Sequence, residues 1–233
     1  MSVRGELGEC TSGQLSGGLP TLLIPVGSTE QHGPHLPLDT DTRIATAVAH
    51  RVGAELAHPT APAIAYGASG EHQGFPGTVS IGTPAMTTVL VEYGRSACEW
   101  ADRLVFVNGH GGNAEALGAA VGLLRREGRD AGWCSCSTGG GDAHAGHTET
   151  SLLLHLSSHL VLSGQIAPGN VEPLSELLPR LRRGGIGAVS RSGVLGDPST
   201  ATAAAGRQLL AQMVADCAAR IRRWTPGPGG MLR

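Results

Sequence analysis

Short apolar runs that end in glycine alternate along this chain with longer segments of helical period. Leu22-Leu23-Ile24-Pro25-Val26-Gly27 has no polar interruption, as a strand buried on both faces requires. From Asp41 to Leu56 the apolar residues Ile44, Ala45, Val48, Ala49, Val52 and Leu56 fall at helical spacing. Ala61 to Tyr66 reads as a second strand. Thr83-Pro84 opens a helix to about Ala101, with a capping residue followed by proline at the first position. Arg103 to Gly109 is the clearest strand, Asn113 to Arg126 a helix, Gly132 to Thr138 a strand and Glu149 to Leu160 a helix. The last long helix spans about Thr200 to Trp224 and stops at Pro226, and PGPGGMLR reads as a disordered tail. Ser163 to Asp197, rich in glycine, proline and arginine, carries no clear period.

This alternation predicts an α/β fold with a mostly parallel sheet covered on both faces, built as one domain over 1–224 with the tail at 225–233. In such folds ligands gather where the carboxyl ends of the strands enter their loops. Composition narrows the chemistry. The 17 basic residues, all arginine, and 19 acidic ones give a net charge of −2, which excludes the footprint of a nucleic-acid binder. The absence of lysine excludes Schiff-base and phosphate-loop lysines. Five cysteines, an odd number, and MSVRGELGEC with no apolar signal region point to a reduced, cytoplasmic setting. Cys134 and Cys136 have no second pair to complete a metal site and read as thiols of a buried strand. No apolar run approaches the ~20 residues of a membrane span.

Three clusters of ionisable residues each follow a strand. Gly27 to Asp41 holds Glu30, His32, His35, Asp39 and Asp41. Extended backbone puts Glu30 and His32 on one side, and Pro34 and Pro37 stiffen the loop. In Asn108-Gly-His110-Gly111-Gly112-Asn113 a lone histidine stands among glycines, and the following helix directs free N–H groups into the same space. The spacing is not that of a dinucleotide fingerprint. Gly139 to Thr150 carries His144 and, five residues on, Glu149 at a helix start, suited to a general base and a metal ligand. Mixed oxygen and nitrogen ligands suit Zn²⁺, Fe²⁺ or Mn²⁺ rather than Ca²⁺. There are enough for two ions bridged by one carboxylate, a pair that generates hydroxide near neutral pH and polarises a carbonyl. Amide hydrolysis is the chemistry expected. His72 reads equally as a group facing substrate or a neighbouring subunit and as a hydrogen-bonded loop residue. His35, His50, His58, His155 and His159 read as structural or exposed.

The segments PVGSTEQHGPHLPLDTDT (25–42), EHQGFPGT (71–78), VNGHGGN (107–113) and HAGHTETS (144–151) together resemble the creatininase family of metal-dependent amidohydrolases. The resemblance implies a three-layer α/β/α fold with a dinuclear metal centre. Carried over by position, Glu30 and His32 each bind one ion, Asp41 bridges both and His110 joins Glu30. His144 matches the histidine of proton transfer. Creatinine-hydrolysing members read NGHYEN, with a glutamate where this chain has Gly112. The missing carboxylate is therefore assigned to Glu149, and creatinine is disfavoured as substrate. His72, Gly111, Gly112 and Asn113 are expected to face substrate. The NGHGGN form resembles the branch containing formamide hydrolases and a peptidase that trims the modified C-terminal Val-Tyr end from a ribosomally made precursor peptide. A peptide or small amide substrate, two divalent ions and a homo-oligomer, commonly a hexamer, follow as expectations. A formamide or lactam hydrolase, and a non-catalytic metal-binding oligomer, are the alternatives.

Overall fold

The computed structural model describes residues 5–137 and 139–233. The expectations for Met1 to Arg4 and for Thr138 as the end of a strand lie outside the described residues. Three strands, β1 (Leu22–Val26), β2 (Arg103–Asn108) and β3 (Asp130–Ser135), pair in parallel in that order. Val26 lies opposite Asn108, and Asn108 opposite Ser135, so the strands end level with one another. Six α-helices accompany them: α1 (Thr40–Leu56), α2 (Gly82–Ala97), α3 (Ala114–Arg126), α4 (His147–Leu156), α5 (Leu174–Gly184) and α6 (Ala203–Arg223).

Period-two alternation divides the sheet between two cores. Leu22, Ile24, Leu104 and Phe106 face α2 and α3, packing on Met86, Leu90, Leu117 and Leu124. Leu23, Val105, Val107 and Cys134 face the other way, onto Val48 of α1, Leu152 of α4 and Leu210 and Met213 of α6. Each such side chain, fully buried, contributes roughly 1.5–3 kcal/mol. The result is the three-layer α/β/α arrangement with a parallel sheet. Among the described residues no helix is long and apolar enough to cross a membrane.

Several boundaries differ from expectation. The strand expected over 61–66 is reduced to one bridge beside β1, Val26 with Ile64, and a second, Leu23 with Thr60, lies just before it. Pro59 and Pro62 have no N–H to continue a ladder. Thr83 lies inside α2 rather than capping it, because the helix begins at Gly82, and it ends at Ala97. β3 starts at Asp130, two residues before the expected Gly132. α4 starts at His147 and yields to a 3-10 turn at Ser158–Leu160. Thr202 caps α6, its hydroxyl oxygen accepting from the Ala205 N–H at 3.1 Å.

The tail expected to be disordered is folded. Trp133 N–H donates to Gly230 O at 3.0 Å and Leu232 N–H to Trp133 O at 2.8 Å, which extends the sheet past β3. Leu232, 1% exposed, joins the α1/α4/α6 core, so a single apolar anchor holds a polar, glycine-rich segment. The unassigned stretch 163–197 supplies α5 and a small cluster of Leu177, Ile186 and Leu195 beside the carboxyl ends of the strands.

Candidate metal centre

All three clusters meet at the level strand ends. Glu30, His32 and Asp41 come from the loop after β1 and the first turn of α1, His110 from the turn after β2, and His144 and Glu149 from beyond β3. Asn108 braces the second turn, its side-chain amide donating to His110 O at 2.7 Å. Ala145, buried beside His144, has φ 52°, a left-handed conformation that alanine adopts only under local constraint. Its N–H donates to Glu149 Oε2 at 2.6 Å, which couples the histidine's backbone to the carboxylate.

Three histidine rings are held from outside by backbone carbonyls. His32 Nδ1 lies 3.1 Å from Glu30 O, His110 Nε2 3.3 Å from Ala68 O, and His144 Nε2 2.8 Å from Gln31 O. A carbonyl only accepts, so each of these nitrogens carries the proton and the other nitrogen turns inward. His32 Nε2 is 3.2 Å from Asp41 Oδ1 and 3.9 Å from Glu149 Oε2. His110 Nδ1 is 3.1 Å from Asp41 Oδ2 and 3.2 Å from Glu30 Oε1. His144 Nδ1 is 4.0 Å from Glu30 Oε1. An imidazole oriented through its outer N–H is the usual presentation of a metal ligand.

The carboxylates make the same demand. Glu30 is fully buried, and neither of its oxygens receives a well-formed hydrogen bond. Such a group costs several kcal/mol unless a cation meets it. Candidate ligand atoms converge in three sets within 4.8 Å: Glu30, Asp41 and His110; His32, His144 and Glu149; Glu30, His72 and His144. Burial opposes charge on His32, yet Asp41, Glu149 and Glu30 outweigh it and push its pKa up to about 10. His110 is likewise raised against burial by the nearby carboxylates of Asp41 and Glu30. Burial would raise Asp41, but His32 and His110 hold it well below the usual carboxylate range. Burial pushes Glu149 up to about 7, with His32 opposing. It also lowers His72 to about 4 and depresses His144, the latter aided by His32 and His72. A proton on an inner nitrogen and a divalent cation are alternative ways to balance these acids, so the residues fit a metal.

Sequence reasoning missed two residues here. Gln31 stands between two expected ligands; its amide donates to His72 Nδ1 at 2.8 Å and to Gly193 O at 3.3 Å, while Oε1 accepts from Gly33 N–H at 2.8 Å. It thereby turns His72 Nε2 to within 3.2 Å of Glu30 Oε1, inside the cluster rather than at its rim. Glu71, adjacent to His72 in EHQGFPGT, brings Oε1 to 3.6 Å from His110 Nε2. A Cβ on Gly112 would come within 2.6 Å of that oxygen. Other candidates lie elsewhere. Asp39 pairs with Arg43 at 2.7 Å, and His35 Nε2 bonds Thr150 Oγ1 at 2.8 Å. Asn113, expected to face substrate, is fully buried. Its amide donates to Gly27 O at 2.9 Å and its Oδ1 accepts from Ala68 N–H at 2.9 Å, so it ties loops together. Gly111 and Gly112 do line the cavity above the cluster, whose volume of about 460 Å³ is in the range of small-ligand sites.

A parallel α/β sandwich whose strand ends gather buried carboxylates and outward-braced histidines defines a metal-dependent hydrolase of amide bonds. The family described as creatinine amidohydrolase matches residues 11–221, and the chain belongs to this creatininase family. It is 64% identical over 239 residues to the mycofactocin precursor peptide peptidase of Mycobacterium ulcerans (strain Agy99), covering 99% of this chain and 96% of that protein. To the protein of the same name from Mycolicibacterium smegmatis it is 62% identical, covering 97% and 94%. The solved structure "Creatininase Mn" superposes with a TM-score of 0.79 at 27% identity, covering 97% of this chain and 100% of that one. A mutant creatininase of "Zn-Zn type" does so at 0.77 and 27%, covering 95% and 98%.

Proposed function

We propose that this protein is a peptidase that hydrolyses an amide bond near the C terminus of a ribosomally made precursor peptide, releasing the modified C-terminal Val-Tyr dipeptide. The observation that carries this reading is the 62–65% identity, over almost the whole chain, to four mycofactocin precursor peptide peptidases. Gly112 supports it against creatinine, since the space above this residue is already occupied by Glu71 and leaves no room for a glutamate. Two divalent ions per chain, Zn²⁺, Fe²⁺ or Mn²⁺, are part of the proposal. Glu30, Asp41 and His110 would hold one, and His32, Asp41 and Glu149 the other. Asp41 offers Oδ2 toward His110 and Oδ1 toward His32, the disposition of a shared ligand. Bound ions would supply Lewis acidity for the scissile carbonyl and acidify water.

The chain's own groups do the rest. His144 keeps its proton on Nε2 against Gln31 O, so Nδ1 is free to take a proton from attacking water and pass it to the leaving amine. Gln31 holds His72 neutral at Nδ1 and steers its other nitrogen to Glu30. Leu174, Leu178 and Leu181 of α5 line the same cavity on its aliphatic side. Five free cysteines support a cytoplasmic setting, and a homo-oligomer is part of the same proposal. The test is incubation of the metal-loaded protein with the precursor peptide carrying the modified C-terminal end, followed by mass spectrometry. Loss of the mass of the modified Val-Tyr end is expected, and an intact peptide refutes the reading.

A further inference from the structure

The cavity is chemically two-ended. Its floor is acidic and imidazole-rich, while the wall carries Leu174, Leu178, Leu181, Ile186 and Leu195. Glu71, in the 3-10 turn Gly70–His72, stands at the seam between them. Its backbone meets the end of α5, where a Cβ on Gly185 would come within 2.6 Å of Glu71 O. Its carboxylate reaches the floor, with Oε1 3.6 Å from His110 Nε2. The next residue, His72, is held at Nδ1 by Gln31 and so fixes the turn. Gly112 leaves the Glu71 oxygen uncovered, since a Cβ there would stand 2.6 Å from it. Four carboxylates line the cavity; Glu30, Asp41 and Glu149 fall in the candidate ligand sets, and Glu71 does not. Among the described residues no arginine pairs with it. A half-exposed carboxylate without a cation, aimed into a cavity, suits an incoming ammonium or N–H group.

Amide hydrolysis breaks the C–N bond, placing the hydroxyl of water on the acyl carbon and its proton on nitrogen. One fragment leaves as a carboxylate, and the other begins with a new amino group that is largely protonated at neutral pH. Like charge turns the first away from Glu71, while opposite charge draws the second. We propose that Glu71 receives the new amine of the released Val-Tyr fragment, whose apolar side chains lie along the α5 wall. This deepens the peptidase reading and rests on it. The contact is made at the cleaved end of the fragment and asks nothing of its modified C-terminal end. Glu71 is a specificity-determining residue and takes no part in proton transfer. The simplest rival is that Glu71 only braces the outer nitrogen of His110. That role governs metal retention and is indifferent to the fragment's amine.

The experiment measures calorimetric Kd values on metal-loaded protein for the fragment released from the modified precursor, and for the same fragment acetylated at its new amine. For the unaltered chain acetylation should weaken binding about 10- to 100-fold, the scale of a charge-assisted hydrogen bond. Glu71→Gln, which keeps the size of the side chain, should bring the ratio near one while elemental analysis shows its metal retained. In turnover the free fragment should inhibit the unaltered protein competitively, and its Ki should rise by a similar factor in Glu71→Gln. Equal affinity for the two forms in the unaltered protein, or a preference that survives in Glu71→Gln, overturns the assignment. Loss of metal from Glu71→Gln also overturns it, in favour of the brace on His110. If the precursor is not cleaved, the peptidase reading fails. The Glu71 assignment is then decided by Val-Tyr amide against N-acetyl-Val-Tyr amide, and equal affinity, or none, overturns it.

Discussion

Gly112→Ala adds one methyl group at the most crowded point of the site. The new Cβ would stand 2.4 Å from His110 Nε2, 2.5 Å from Ala68 O and 2.6 Å from Glu71 Oε1. Ordinary contact begins at 3.4 Å, so the overlaps are about 1 Å on three sides. Glu71, half-exposed, can swing away, but Ala68 O is backbone and also receives the His110 ring proton. The ring therefore has to move and loses the carbonyl that aims Nδ1 at Glu30 and Asp41. Overpacking of this kind costs about 1–3 kcal/mol, or roughly 2–12 °C in Tm for a chain of this size. A displacement of about 1 Å at a reacting centre lowers rate on the order of 10²-fold. Differential scanning calorimetry and kcat/KM on the precursor peptide measure both effects. Gly112→Ala/Glu71→Ala should recover part of the stability by removing one of the three overlaps. If Gly112→Ala keeps both Tm and kcat/KM, the packing argument is wrong.

Asp41→Ala should lose both ions by elemental analysis, because each oxygen faces a different histidine; retention of one ion shows that Asp41 is not shared. His144→Ala should keep the metal and lower kcat by ~10²–10⁴-fold, and metal loss would make it a ligand instead. Chelation should lower Tm by roughly 5–10 °C, the result of removing ligand held at about 100 times its Kd; an unchanged Tm means that the folded chain holds no cation. Leu232→Ala should cost about 2–5 kcal/mol in urea unfolding, whereas a disordered tail predicts no change.

Much of this site was legible because its chemistry sits directly beyond strands that announce themselves. Leu104 to Val107 is an apolar run followed by Asn108 and Gly109, and His110 follows where the fold places ligands. The expected set Glu30, His32, Asp41, His110, His144 and Glu149 does converge. What escaped reading depends on contacts far apart in sequence. Gln31 gains its part only when His72, 41 residues on, arrives at its amide. Asn113 was expected to face substrate from its place in the NGHGGN segment, yet Gly27, 86 residues earlier, accepts from its amide. Polarity also misled. The glycines and prolines of 225–233 hid the single residue, Leu232, that buries the tail. In 163–197 the apolar positions that build the cavity wall are too scattered to show a period.

The level ends of β1 and β2 have a consequence for how the protein acquires its shape. Val26 and Asn108 are register partners, yet α1 and α2 lie between them in the chain. A slip of one residue would shift Glu30 about 3.3 Å against His110 and turn every β1 side chain to the wrong layer. Parallel pairing across so long a loop is slow, and most of its closure entropy is lost before any contact rewards it. Glu30, His32 and Asp41 are local to one another, while His110 and Glu149 arrive only with the finished sheet. Cation capture should therefore trail collapse in a stopped-flow refolding trace, and its rate should report the moment at which the two strands find their register.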